Sequence, residues 1–254
     1  MTDEVCTTQR DGHVLLVTLN RPAQRNALNL ELRNSLRAAF DHFEEDDELR
    51  CAVLTGEGTA FCAGGDLKEM AGTTVQDPPL EWSLLLGSRG YVRKPVIAAV
   101  NGFALAGGFR LAQDCDLCIA SEEATFGITE VKRGRGAPWA APLISMMPQR
   151  IMMELLLTGE VLSAQRAYEI GLVNRVVPAE ALVETALGMA HGIAANAPLS
   201  VRAGKQLVGL STDMGRTQAL QAADLLYQKV YASDDALEGP RAFAEHRSPQ
   251  WTGR

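Results

Sequence analysis

Two glycine-rich stretches stand where an apolar run gives way to helix-forming residues. One is Phe61 to Met70, FCAGGDLKEM, after Cys51 to Leu54; the other is Asn101 to Asp116, NGFALAGGFRLAQDCD, after Val96 to Val100. Glycine lets the chain turn sharply and leaves main-chain NH groups uncovered. A helix that opens at the same point adds NH groups without intrahelical partners, and the positive end of its dipole. Two such turns from neighbouring strands can each aim one NH at a single oxygen. That is an oxyanion hole, which stabilises developing charge by about 3 kcal/mol per donor. Neither stretch carries GxxxxGK followed by Ser or Thr, nor GxGxxG after a strand, so those phosphate cradles are excluded.

The elements that must position these turns follow from hydrophobic periodicity. His13 to Asn20 (HVLLVTLN) reads as a strand, Leu30 to Asp47 as an amphipathic helix and Cys51 to Gly56 (CAVLTG) as a second strand. The unit recurs with a helical run at Pro79 to Tyr91, the strand Val96 to Val100, the Gly107-Gly108 turn with a short helix, and the strand Asp116 to Ala120. Strand, crossover helix and strand in this order predict an α/β fold with a largely parallel sheet covered on both faces. Ligands are expected where strands end and helices begin.

After Val177 the strands stop. Ala179 to Ala195, Leu199 to Leu210, Arg216 to Tyr231 and Asp234 to His246 read as helices, broken at Pro198 and by Gly and Ser-Asp-Asp signals. The expected organisation is an α/β core over residues 1–195 and a helical region over residues 196–254 that completes the fold or docks against other subunits. The charge run Glu44 to Glu48 is expected to be a solvated face.

Composition narrows the class. Hydrophobic residues at 46% and charged ones at 22% exclude a disordered or collagen-like chain. A net charge of -7 without a basic face argues against nucleic acid as a partner. The acidic start, Met1-Thr2-Asp3-Glu4, is no signal peptide, and no apolar run approaches the ~20 residues of a membrane span. A cytoplasmic protein without membrane contact is expected. The five cysteines are scattered and expected to be free thiols, with Cys115 and Cys118 buried on a strand rather than forming a redox pair. His13, His42, His191 and His246 show no ligand spacing, and no metal is expected.

The two turns, together with FGITEVKRG (Phe126 to Gly134), LLLTGEVLSAQRAYEIGLVNRVVP, NRPAQRNALN near the start and HRSPQWTGR at the end, resemble the enoyl-CoA hydratase/isomerase (crotonase) superfamily over nearly the full length. The resemblance implies a ClpP/crotonase-like core of repeated β-β-α units with a C-terminal helical region. It also implies trimers, often paired into hexamers, and an acyl-CoA thioester as ligand, with no cofactor beyond the CoA of the substrate. By position it assigns the oxyanion amides to Ala63 and Gly107, with Asp66 ordering the helix start. CoA contacts map onto Arg25, Ala27 and Leu28, then onto Ala63, Gly64, Gly65, Asp66, Leu67 and Lys68. Phe243 and Arg247 are expected to reach a neighbouring subunit's nucleotide.

The chain departs from the hydratase pattern at the acid/base pair. Hydratases of the superfamily work with two glutamates around one water. Glu130 matches the second, whereas Arg110 stands where the first belongs. A guanidinium stays cationic and neither activates water nor returns a proton. Pro138 stands at the equivalent of a water-binding glycine and has no NH to offer. Trp139 beside it is read either as a pocket wall or as a packed core residue. Arg110 pairs with Glu130, holds a carboxylate on an unusual acyl group, or simply faces solvent. One base and an oxyanion hole suffice for double-bond isomerisation, which ranks first. Residual hydratase or carnitinyl-CoA dehydratase-like activity follows, then a non-catalytic acyl-CoA binder, and last a hydrolase.

Overall fold

The computed structural model describes residues 4–72 and 92–254. The expected helical run Pro79 to Tyr91 lies outside the described residues. The chain opens with β1 (Cys6–Asp11) and β2 (Val14–Leu19), an antiparallel hairpin turned at Gly12 with a φ of 57°. Parallel neighbours extend the sheet through β3 (Cys51–Gly56), β4 (Val96–Val100), β6 (Leu117–Ser121) and β9 (Arg175–Val177). A smaller sheet joins β5 (Phe103–Leu105), β7 (Thr125–Gly127) and β8 (Val161–Ser163). Each of β4 and β6 is therefore followed by a short strand in the second sheet, and α3 (Gly107–Asp114) completes the first of these β-β-α units.

The central strands β3 and β4 are buried at every position because both faces of the sheet are covered. Ala52, Leu54, Val96, Ala98 and Val100 point into the larger core, which holds Leu32, Leu36, Phe40 and Phe43 of α1 (Leu30–Glu45). Cys51, Val53, Ile97 and Ala99 point the other way, onto Leu182, Ala186, Ala190 and Ala194 of α6 (Leu182–Ala194). Alanine at every fourth position lets that helix lie close on the sheet. Each Leu or Phe so buried contributes about 1.5–3 kcal/mol. The four cysteines on or beside these elements, Cys51, Cys62, Cys115 and Cys118, are buried and free. Burial pushes the thiols of Cys51, Cys62 and Cys118 up to about 12.

Helix α1 begins where Asn29 caps the amide of Leu32, and it ends on a charge. The ammonium of buried Lys94 takes the carbonyls of Phe43 and Asp46 at 2.7 and 2.6 Å, which satisfies the helix C-terminus. The charge run after it needs correction as a purely solvated face. Glu44 is tucked under Arg93, whose backbone NH it accepts at 2.9 Å, and Asp46 pairs with Arg10 at 3.0 Å.

Strand β1 and the smaller sheet are structure that the hydrophobic pattern did not announce. β1 is a polar, largely exposed edge, and β5, β7 and β8 span three residues each, too few for a period to register. The C-terminal helices are α7 (Pro198–Asp213), α8 (Arg216–Tyr231) and α9 (Asp234–Ala244). They are tied to the core by Lys205 on Asp116 at 2.8 Å and by the indole NH of Trp251 on the carbonyl of Ala195, also at 2.8 Å. No described helix is long and apolar enough to cross a membrane.

Candidate active site

The two glycine turns meet face to face. Cys62 bridges Ala104 and Leu28 bridges Gly65, so three separate stretches of chain are laced together at the strand ends. The contact is too tight for side chains. A Cβ on Gly108 would lie 2.0 Å from the carbonyl oxygen of Cys62, and one on Gly64, at a φ of +96°, would lie 2.9 Å from Leu105 O. Ala106, which precedes α3, is held at φ 50° and ψ -120°, a strained conformation for a residue with a side chain.

Amide accounting separates the donors. The NH of Ala63 donates to the carbonyl of Arg25 at 3.0 Å, so it is already spent within the protein. The expectation that Ala63 supplies an oxyanion amide is corrected on that ground. The NH groups of Gly65 and Gly107 have no hydrogen-bond acceptor among the described residues, and both glycines line one cavity of about 850 Å³. A Cβ placed on Gly107 would lie 3.7 Å from the nitrogen of Gly65, which shows how closely the two turns approach. Asp66 does its work on the protein. Its side chain caps α2 (Leu67–Ala71) by accepting from the amides of Lys68 and Glu69, and it pairs with Arg21 at 3.2 Å.

Opposite the turns stands Glu130, at the start of the 3-10 turn Thr129–Arg133 that follows β7. Its Oε1 accepts the indole NH of Trp139 at 2.7 Å, and its Oε2 is buried with no partner in the structure. Burial pushes its carboxyl above the ordinary value, and the Trp139 hydrogen bond opposes that shift only in part. Trp139 is both wall and packing. It lines the cavity and sets its ring edge-on against Phe109 at 5.8 Å. Arg110 also lines the cavity, and it pairs with Asp114, one turn along α3 at 3.4 Å. No ion pair joins it to Glu130 among the described residues, and its side chain is only 25% exposed.

A sequence profile of the enoyl-CoA hydratase/isomerase family matches residues 9–254. The chain belongs to this family. It is 41% identical to enoyl-CoA hydratase EchA19 of Mycobacterium tuberculosis, over 97% of this chain and 96% of that protein. It is 38% identical to carnitinyl-CoA dehydratase of Proteus mirabilis, with 96% of each covered. The crystal structure of an enoyl-CoA hydratase from Mycobacterium tuberculosis superimposes with a TM-score of 0.91, at 38% identity and with 99% of this chain covered and 100% of that one. The crotonase fold expected from the motifs is thus the fold the chain adopts.

Of the positions that the family resemblance marked, the structure brings Arg25, Leu28, Ala63, Gly65, Leu67, Gly107, Arg110, Glu130, Pro138 and Trp139 to the cavity. Ala27, Gly64, Asp66 and Lys68 do not line it. Phe243, 84% exposed, and Arg247, clasped by Glu238, lie on and after α9, away from this cavity. Arg33 and Arg37 of α1 line the cavity and were not marked by any motif. Nor was Asn26. Fully buried at a φ of 55°, it gives its side-chain NH2 to Ala60 O at 2.7 Å and so fastens the Arg25 to Leu28 loop onto the first turn. The Asn in NRPAQRNALN, a residue type that tolerates left-handed backbone, was the available signal.

Proposed function

We propose that the protein binds an acyl-CoA thioester in this cavity, stabilises its enolate with the amides of Gly65 and Gly107, and moves protons with Glu130 as its single acid/base. Enoyl-CoA isomerase-type chemistry is the reading that the geometry supports best. One observation carries it: Glu130 is the only carboxylate among the described lining residues, and it keeps one oxygen buried and unpartnered. Isomerisation asks for a base that takes a proton beside the thioester and returns it two carbons along, while amides hold the dienolate oxygen. A single carboxylate whose pKa is raised by burial does both steps in turn. Adding water asks for a second acid/base, and at that position Arg110 offers a guanidinium, a poor proton shuttle.

The basic lining formed by Arg25, Arg33, Arg37, Lys132 and Arg133 suits the phosphates of CoA. No cofactor enters the reaction beyond the CoA of the substrate. Assembly into trimers or pairs of trimers is part of the same reading. Leu220 and Leu225 of α8, each at least 60% exposed, together with Phe243, offer apolar surface for it.

The second reading, a hydratase or dehydratase, is favoured by the names of the relatives. Mass spectrometry of a medium-chain 2-enoyl-CoA after incubation in heavy water separates the two. Deuterium uptake without added water supports proton shuttling by Glu130. Gain of a whole heavy water supports hydration. An unchanged mass leaves silent binding, the wrong substrate or a proton returned internally by Glu130. Conversion of a 3-enoyl-CoA to its 2-enoyl isomer then marks internal return, and tight acyl-CoA binding without any conversion overturns both readings in favour of a silent binder.

A further inference from the structure

We propose that Trp139 is a positioning residue for Glu130, holding Oε1 through its indole NH so that Oε2 is the oxygen that exchanges protons with substrate. This rests on the reading of Glu130 as the acid/base.

The contacts form a closed circuit. Glu130 follows β7, whose Phe126 packs on Phe109 of α3 at 5.5 Å. Phe109 meets the Trp139 ring at 5.8 Å and 71°, and the indole returns to Glu130 at 2.7 Å. Gln113, one turn further along α3, donates to the carbonyl of Trp139 at 3.2 Å. The helix whose first residue presents the Gly107 amide therefore also buttresses the tryptophan that aims the base. One rigid element thus sets the separation between oxyanion donor and base. An indole NH is a donor only and does not titrate, so it orients a carboxylate without competing for its proton.

Other charged groups sit on the neighbouring elements. Arg110 on α3, Lys132 and Arg133 on its own turn and Arg135 just after it line the same cavity, Asp114 pairs with Arg110, Glu160 pairs with Lys132, and α4 (Gln149–Thr158), which packs against the turn, carries Arg150 and Glu154. Burial, with Trp139 opposing it, governs the carboxyl more than these charges do. Removing the indole NH therefore raises the pKa of Glu130 further.

The test is Trp139→Phe, which keeps an aromatic ring against Phe109 and deletes the donor. The acid limb of the kcat profile should move to higher pH and kcat should fall about tenfold with little change in KM. An infrared difference spectrum of the carboxyl band, with Glu130→Gln as blank, should show the same upward move without any turnover. Trp139→His, which restores an NH, should bring both part of the way back. If Trp139→Phe does not fold, benzothienylalanine at this position replaces NH by sulfur in the same shape and is read identically. An unmoved limb and an unmoved carboxyl titration overturn the positioning role. If Glu130→Gln itself leaves turnover intact, the acid/base reading fails instead.

Discussion

The cavity has two walls built on different principles. The wall of turns is made of backbone, and its donors, Gly65 and Gly107, are placed by the bridges Leu28–Gly65 and Cys62–Ala104 and by neighbouring glycines, Gly64 and Gly108, that leave no room for a Cβ. The facing wall is made of side chains: Glu130, Arg110, Pro138 and Trp139. The first wall cannot drift without breaking the strand ends it is made from. The second can exchange a carboxylate for a guanidinium and keep the fold, because the guanidinium finds a local partner in Asp114. The lesson is that the free amides of the first wall are built into the architecture, so under the proposed function charge stabilisation is fixed by the fold, whereas the reaction that follows depends on a few replaceable side chains.

The largest expected effect is on the side-chain wall. Glu130→Gln should lower turnover by about 10²–10⁴ fold in a direct assay of proton exchange. Gly107→Pro probes the backbone wall: proline suits the first position of a helix but removes the amide. It should cost about 10²–10³ fold in kcat while the melting curve shows a folded protein. Equal losses from the two variants would mean that the walls contribute alike.

Gly108→Ala should destabilise by about 1–3 kcal/mol in denaturant unfolding, since the methyl meets the main chain of Cys62 and neither side can yield. Glu130→Gln has a second, smaller consequence. The folded carboxyl lies above its ordinary value, so its contribution to stability is fully present below that value and is lost as pH rises through the folded one. The variant should melt higher than the parent near neutral pH, and the gap should close in acid. Smallest of all, Arg110→Glu sets like charges one turn apart with Asp114 and should cost a few tenths of a kcal/mol. If that variant alone hydrated 2-enoyl-CoA efficiently, the contribution assigned to Pro138 would be wrong.

Much of the architecture was legible because it is written in local periods. The apolar runs Cys51 to Leu54 and Val96 to Val100, the helix Arg216 to Tyr231 and the capping role of Asp66 were all visible as short-range patterns. Strand β1 was not, because a polar edge strand has no buried face to alternate. The site was legible as two turns and one glutamate, but its hydrogen bonds were not. Which amide of the first turn is spent depends on the carbonyl of Arg25, brought in by a loop far away in the chain.

The sequence by itself determined that this is a crotonase-fold chain, that two glycine turns meet at strand ends, and that Glu130 stands without a second glutamate. Periodicity and glycine placement act over a few residues and need no partner to be read. Tertiary structure alone decided that Ala63 is engaged and Gly65 is not, that Arg110 turns to Asp114, and that Trp139 holds Glu130. A buried donor or acceptor must be satisfied by whatever the fold brings within about 3 Å, and that choice is made across the whole chain.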